Sequence, residues 1–178
     1  MRGGLRLVLL LASSHAGACD SGALSAADAG DGSDAALDPR YAEVKAIFEH
    51  SCAYVRCHSG PLVGGALDLS RGGDPWAALV SVPACEYERM SRVEPGKPEA
   101  SWLMVKLTAR FRDAGDPYPN YIVFTPPSDW DPSARGCRDE AADGTPLFGQ
   151  RMPATAPNTL SERALETIEA WIEAGAPH

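Results

Sequence analysis

The sequence lacks the signatures of several common enzyme and membrane-protein classes. It contains no Gly-x-Ser-x-Gly elbow, no His-Glu-x-x-His helix and no phosphate-binding glycine loop, which argues against the corresponding hydrolases and nucleotide enzymes. The apolar run from Leu7 to Ala12 is far shorter than the roughly 20 residues that a membrane-spanning helix needs. No βαβ pattern, internal repeat or clear strand pattern is present, so a thioredoxin-like fold is disfavoured and helices are expected.

Basic residues are also in the minority, with 16 Lys and Arg against 24 Asp and Glu. Residues 1–18 hold two of the basic residues and none of the acidic ones, so removing them moves the formal charge from −8 to −10. A protein with this charge is a poor ligand for nucleic acid or for an anionic lipid surface. We therefore expect no nucleic-acid partner.

The N-terminal segment has the pattern of an export signal. Arg2 and Arg6 precede the apolar run, and small residues lead up to Cys19. The stretch resembles a bacterial lipoprotein signal, which implies a signal peptide over 1–18 and a lipid on Cys19. The alternative is ordinary secretion with Cys19 free. The resemblance predicts a lipoprotein of the cell envelope, periplasmic or at the cell surface, that is held to a membrane by its N-terminal lipid.

Residues 19–37 are dominated by Asp, Ser, Gly and Ala and have no aromatic residue, a composition typical of a flexible tether. We expect the folded domain to span 38–178. Asp38 followed by Pro39 predicts the start of a helix that runs to Cys52, and a second Asp-Pro pair begins the short "DPWAALV" helix.

Two further helices are predicted in the second half of the chain. One covers "PEASWLMVKLTARF", and residues 113–150 after it are loop-like. The other begins after the cap Ser161, uses Leu160 and Leu165 as a hydrophobic staple, and stops at Gly175. The predicted fold class is therefore all-α with long loops.

The stretch "SCAYVRCHSG" carries the clearest chemical signal. In a c-type haem site two cysteines bond to the haem vinyl groups, and the histidine after the second cysteine ligates the iron. Cys52, Cys57 and His58 have this order, but four residues separate the cysteines where two are usual. The spacing alone fits a disulfide as well as a haem site. A zinc site is disfavoured because these residues supply at most three of four ligands.

The order of the blocks resembles the cytochrome c-like domains of exported bacterial proteins such as those of myxobacteria and planctomycetes. The matching blocks are "FEHSCAYVRCHSG", "GGALDLS", "SRVEPGKPEASWLMVKL", "RMP" and "LSERALETIEAWIEAGA". The resemblance implies a small class I-like helical fold and one covalent haem c on Cys52 and Cys57. It also implies His58 and Met152 as the iron ligands.

The expected function is electron transfer with redox protein partners at the cell envelope. An enzyme is not expected, since no second haem motif and no convincing distal acid or base is present. The alternative is a haem-free structural or binding module with the same fold and a Cys52–Cys57 disulfide.

The remaining cysteines, Cys85 and Cys137, both lie in predicted loops. An oxidising compartment favours a disulfide between them, and the alternative is two unpaired thiols.

Overall fold

The structure is a computed structural model that describes residues 38–54, 57–59, 67–70, 74–131, 133, 136–154 and 160–178. The predicted signal peptide (1–18), the tether (19–37) and the lipidation site Cys19 lie outside these residues. The described part contains α1 (Pro39–Ser51), α2 (Pro75–Leu79), a 3-10 turn (Pro98–Ala100), α3 (Trp102–Thr108), the strands β1 (Asp139–Glu140) and β2 (Pro146–Leu147), and α4 (Glu162–Glu173). No helix in these ranges is long and apolar enough to cross a membrane.

The helix starts predicted from capping residues are confirmed. The Asp38 carboxylate accepts a hydrogen bond from the backbone N–H of Arg40 at 2.8 Å, and Asp74 caps α2 in the same way. The Ser161 hydroxyl accepts from the N–H of Ala164 at 3.2 Å at the start of α4. Each cap pairs an N–H group that the first helical turn leaves without a partner inside the helix.

The helix predicted over "PEASWLMVKLTARF" is shorter than expected. Ser101 is fully buried, and its hydroxyl accepts from the N–H of Glu94 and donates to the carbonyl of Lys97, both at 2.9 Å. These bonds hold Ser101 in an extended conformation between the 3-10 turn and α3. After α3, Phe111 pairs with Ile122 as an antiparallel β-bridge, which ends the helical path.

The all-α prediction is wrong. β1 and β2 form a two-stranded antiparallel sheet, with Asp139 opposite Leu147 and Glu140 opposite Pro146. Further bridges join Phe111 to Ile122 and Tyr121 to Gln150. The described part is therefore weakly mixed rather than helical throughout. Strands of two residues are too short to show an alternating pattern in the sequence, so the periodicity argument could not detect them.

The first of two buried clusters lies where α1 and α4 pack together. The rings of Tyr41 and Trp171 stack with their centroids 5.8 Å apart. We call this group the helical cluster; its buried members are Tyr41, Val44, Phe48, Leu69, Leu79, Val93, Met104, Leu107, Ile168, Trp171, Ile172 and Ala176.

The second cluster is built mainly from loop residues after α2. Its rings meet largely edge to face, as for Trp102 and Phe124 with centroids 4.9 Å apart. We call it the aromatic cluster; its buried members are Ala84, Tyr87, Trp102, Ile122, Trp130 and Phe148. Helix α3 contributes to both clusters and so lies between them.

Candidate functional site

Cys52 is the residue that ends α1. Its N–H continues the helical pattern by donating to the carbonyl of Phe48 at 2.9 Å. The side chain is half-buried and packs against the helical cluster. Burial raises the pKa of its thiol to about 11, and the neighbouring Cys57 adds to the shift. Cys52 is therefore a protonated thiol at neutral pH.

Cys57 is exposed and closes a turn, because its N–H donates to the carbonyl of Tyr54 at 2.9 Å. Both Cys52 and Cys57 are free thiols. Residues 55 and 56 between them lie outside the described residues. The structure thus has two unpaired sulfurs that are five positions apart in the sequence.

His58 is half-buried and held from two sides by the segment Leu67–Leu69. Its ring nitrogen Nδ1 lies 3.0 Å from the carbonyl oxygen of Leu67, and its own carbonyl accepts from the N–H of Leu69 at 2.8 Å. A carbonyl oxygen can only accept, so Nδ1 must carry the proton in this bond. Nε2 of the neutral ring is then the nitrogen with a free lone pair, which is how protein contacts orient a metal-binding histidine.

Met152 lies just after the β2 region and is anchored to α3. Its N–H donates to the carbonyl of Lys106 at 2.8 Å, and the guanidinium of Arg151 donates to the carbonyl of Leu107 at 3.0 Å. The Met152 side chain is half-buried against the helical cluster. Met104, in α3, is 8% exposed and is a member of that cluster.

Three of the four predicted site residues are connected to the helical cluster, and the exposed Cys57 is not part of it. Cys52 and Met152 both pack against the helical cluster, and His58 is tied to it through Leu67 and Leu69. Free thiols, an oriented imidazole and a thioether are the donor groups that a c-type haem uses, so these residues fit that group.

A groove of about 430 Å³ runs between the end of α1 and the start of α4. It is open to solvent, and Ile47, His50, Tyr54 and Leu160 are among its lining residues. A larger open groove of about 610 Å³ lies over the aromatic cluster and contains none of the predicted site residues. The predicted site residues are likewise absent from the lining of the smaller groove.

His50 shares one feature with His58. Its Nδ1 lies 2.8 Å from the carbonyl of Ala46, one turn earlier in α1. His50 is exposed and does not follow a cysteine, whereas His58 is half-buried and comes directly after the free Cys57. Both histidines have the same kind of hydrogen bond, so it is the position directly after Cys57 that makes His58 the candidate metal ligand.

The predicted disulfide between Cys85 and Cys137 is confirmed. The two Cα atoms are 5.3 Å apart, and the N–H of Cys137 donates to the carbonyl of Cys85 at 3.1 Å. The bridge ties the segment before the 3-10 turn to the β1 region, beside the aromatic cluster.

A partly buried ion pair was not predicted from the sequence. Lys106 is 6% exposed, and its Nζ lies 2.9 Å from Oε1 of Glu86 and donates to the carbonyl of Phe148 at 3.1 Å. Burial lowers the pKa of Lys106, and Glu86 opposes the shift. In the sequence, the ion pair is indicated only by one charged residue, Lys106, inside the otherwise apolar run "WLMVKL". This residue alone does not predict a partner.

Within the described residues, no group of three or more His, Cys, Asp and Glu side chains is placed to hold a metal ion. This finding gives no support to a zinc site, while a haem iron needs only one such side chain as its axial ligand. No family model, curated protein or solved structure matches the chain.

Proposed function

We propose that the chain is an exported, lipid-anchored c-type cytochrome with one haem, that it transfers electrons between partners at the cell envelope, and that it is not an enzyme. The observation that carries the proposal is that His58, whose Nδ1 donates to the carbonyl of Leu67, is half-buried and directly follows the free Cys57. Because Nδ1 of His58 carries the proton in this bond, Nε2 has the free lone pair with which the ring can bind a metal.

The residues of the site have distinct roles in this proposal. Cys52 and Cys57 would hold the haem through thioether bonds, and His58 and Met152 would be the iron ligands. When bound, the haem supplies a one-electron couple between ferric and ferrous iron. A soft thioether ligand favours the ferrous state, and the apolar helical cluster behind Cys52 and Met152 excludes water from this side of the site.

The haem-free alternative needs a disulfide between Cys52 and Cys57. Both cysteines are free thiols in the structure, whereas Cys85 and Cys137 are bonded to each other. The contrast favours the haem proposal, because free thiols are what covalent attachment consumes. The signal peptide and the lipid on Cys19 remain part of the proposal on the grounds of the sequence alone.

The test is an absorption spectrum of the mature chain made together with a cytochrome c maturation system. The spectrum is recorded before and after reduction by dithionite, and a pyridine haemochrome assay follows on denatured protein. We expect haem that stays with the denatured chain, and we expect Cys57→Ser to lose the covalent attachment. His58→Ala should lose the low-spin spectrum, whereas the matched control His50→Ala should keep it.

The opposite result is also well defined. A colourless, folded protein whose Cys52 and Cys57 no longer react with thiol reagents would contradict the haem proposal. It would leave the disulfide-linked envelope module as the function.

A further inference from the structure

Lys106 contacts the segment that carries Met152 in two places. Its side-chain Nζ donates to the carbonyl of Phe148 at 3.1 Å, and its backbone carbonyl accepts from the N–H of Met152 at 2.8 Å. One residue of α3 therefore holds the segment Phe148–Met152 at both of its ends. The adjacent Arg151 adds a third bond to α3 through the carbonyl of Leu107.

Glu86 keeps this lysine in place. Its Oε1 accepts from Lys106 Nζ at 2.9 Å, and its Oε2 accepts from the indole N–H of Trp102 at 2.7 Å. Both carboxylate oxygens are therefore used, and the ammonium group has an opposite charge beside it. A buried lysine without such a partner would be strongly destabilising.

Gly149 shows how closely the segment lies against this pair. It has a φ of +73°, and a Cβ built there would collide with Oε1 of Glu86 and with Nζ of Lys106. Only glycine allows the backbone both this conformation and this approach. The ion pair and the segment before Met152 are thus in direct contact, with no space for an intervening side chain.

We propose that Lys106, together with Glu86, is the positioning residue that holds Met152 half-buried at the helical cluster, where its sulfur would ligate the iron. The last part of this inference rests on the proposed function. An apolar residue at position 106 could pack between the clusters equally well. It could not bond the buried carbonyl of Phe148, which would then lack its side-chain partner.

The variant for the test is Lys106→Met combined with Glu86→Gln. It removes both charges together and leaves a side-chain oxygen at position 86 to accept from Trp102. The control is Lys97→Met, which makes the same lysine substitution at an exposed position. Circular dichroism verifies that both proteins are folded.

The first readout needs no haem. The haem-free chain is treated with hydrogen peroxide, and mass spectrometry follows the oxidation of each methionine. We expect Met152 to be oxidised about fivefold faster or more in the double variant, because the opened segment exposes its sulfur. Met104 in the helical cluster should keep its rate, and Lys97→Met should match the wild type at every methionine that the two proteins share.

The second readout uses the haem-loaded protein. Ferric haem with a thioether ligand has a weak far-red absorption band. A variant that is less stable but whose methionine sulfur still binds the iron would keep this band. We expect the double variant to lose this band at a temperature where it is fully folded. Met152→Ala provides the reference spectrum without the ligand.

The outcomes separate the two proposals. Unchanged Met152 oxidation and an unchanged far-red band in the double variant would overturn the role of Lys106. If the wild type takes up no haem, the proposed function fails, and the peroxide comparison still decides whether Lys106 holds Met152. If the double variant does not fold, Gly149→Ala, which displaces the ion pair from the other side, is measured in its place with the same expected results.

Discussion

Asp74 connects three separate parts of the chain through one carboxylate. It accepts from the hydroxyl of Tyr41 at 2.6 Å, caps α2, and lies 2.9 Å from Nε2 of His178. Burial acts to raise the pKa of Asp74, but its hydrogen bonds to Tyr41, Trp76 and His178 outweigh this effect and lower the pKa below 3.8. Burial and the bond to Asp74 also raise the pKa of the Tyr41 hydroxyl.

Asp74→Asn tests this residue through the pH dependence of stability. A carboxylate with a lowered folded-state pKa stabilises the fold fully above its unfolded pKa, and the contribution is lost as the pH falls through the folded-state value. The variant should be less stable than the wild type by less than about 1 kcal/mol at neutral pH, since the Asp74 side chain is 46% exposed. The difference should shrink well below pH 3.8.

Urea unfolding of both proteins, well above and well below pH 3.8, measures this difference. Asp113→Asn at an exposed position is the control and should show no such trend. A stability gap between wild type and Asp74→Asn that widens in acid would contradict the explanation.

At the scale of elements, α3 is the helix that supplies side chains to both buried clusters. It contributes Met104 and Leu107 to the helical cluster and Trp102 to the aromatic cluster. Its first residue is set by the buried hydroxyl of Ser101, which bonds to the backbone of Glu94 and Lys97. Ser101, five residues before Lys106, therefore fixes the point at which α3 begins.

Ser101→Ala should destabilise the domain by about 1–3 kcal/mol, because the buried N–H of Glu94 loses its acceptor. Urea unfolding of the haem-free chain measures the loss. The exposed Ser128→Ala is the control and should stay within about 0.5 kcal/mol of the wild type. Equal stability of the two variants would show that the Ser101 hydroxyl is not needed.

At the scale of the whole molecule, the aromatic cluster is stabilised by the disulfide between Cys85 and Cys137. The two cysteines are 52 residues apart in sequence. In the entropic description, a crosslink over that distance restricts the unfolded chain by about 4 kcal/mol. The double variant Cys85→Ala with Cys137→Ala should lose about this much unfolding free energy.

Reducing agent provides the matched comparison for this prediction. Reduction should destabilise the wild type by a similar amount and leave the double variant unchanged, since Cys52 and Cys57 are free already. A double variant whose stability still falls on reduction would point to a different crosslink.

The net charge leads to a prediction about electron exchange. Without residues 1–18 the chain carries a formal charge of −10, which attracts cationic partners and slows encounter with anionic ones. The haem-loaded protein should exchange electrons faster with a cationic than with an anionic metal complex of matched driving force. Stopped-flow rates should converge as salt is added. A faster reaction with the anionic complex would contradict the prediction, because it would show that the net negative charge does not control access to the haem.

Much of the helical part could be predicted because its causes are local. Asp38, Asp74 and Ser161 each cap a helix with groups only two or three residues away, and Gly175 ends α4 with a φ of +93°. The pairing of Cys85 with Cys137 followed from their shared loop setting and a predicted oxidising compartment. The haem interpretation of Cys52, Cys57 and His58 also starts from a local sequence order, and it stays a prediction.

Other features required the tertiary structure because their partners are distant in sequence. The bridge between Phe111 and Ile122 and the β1–β2 sheet contradict the all-α prediction. Both are too short to produce the alternation of apolar and polar residues from which a strand is predicted. The bond from His58 to Leu67 spans nine residues, and the pairing of Lys106 with Glu86 spans 20. A local sequence pattern specifies a cap or a turn. The pairing of Lys106 with Glu86, in contrast, depends on how α3 packs between the two clusters.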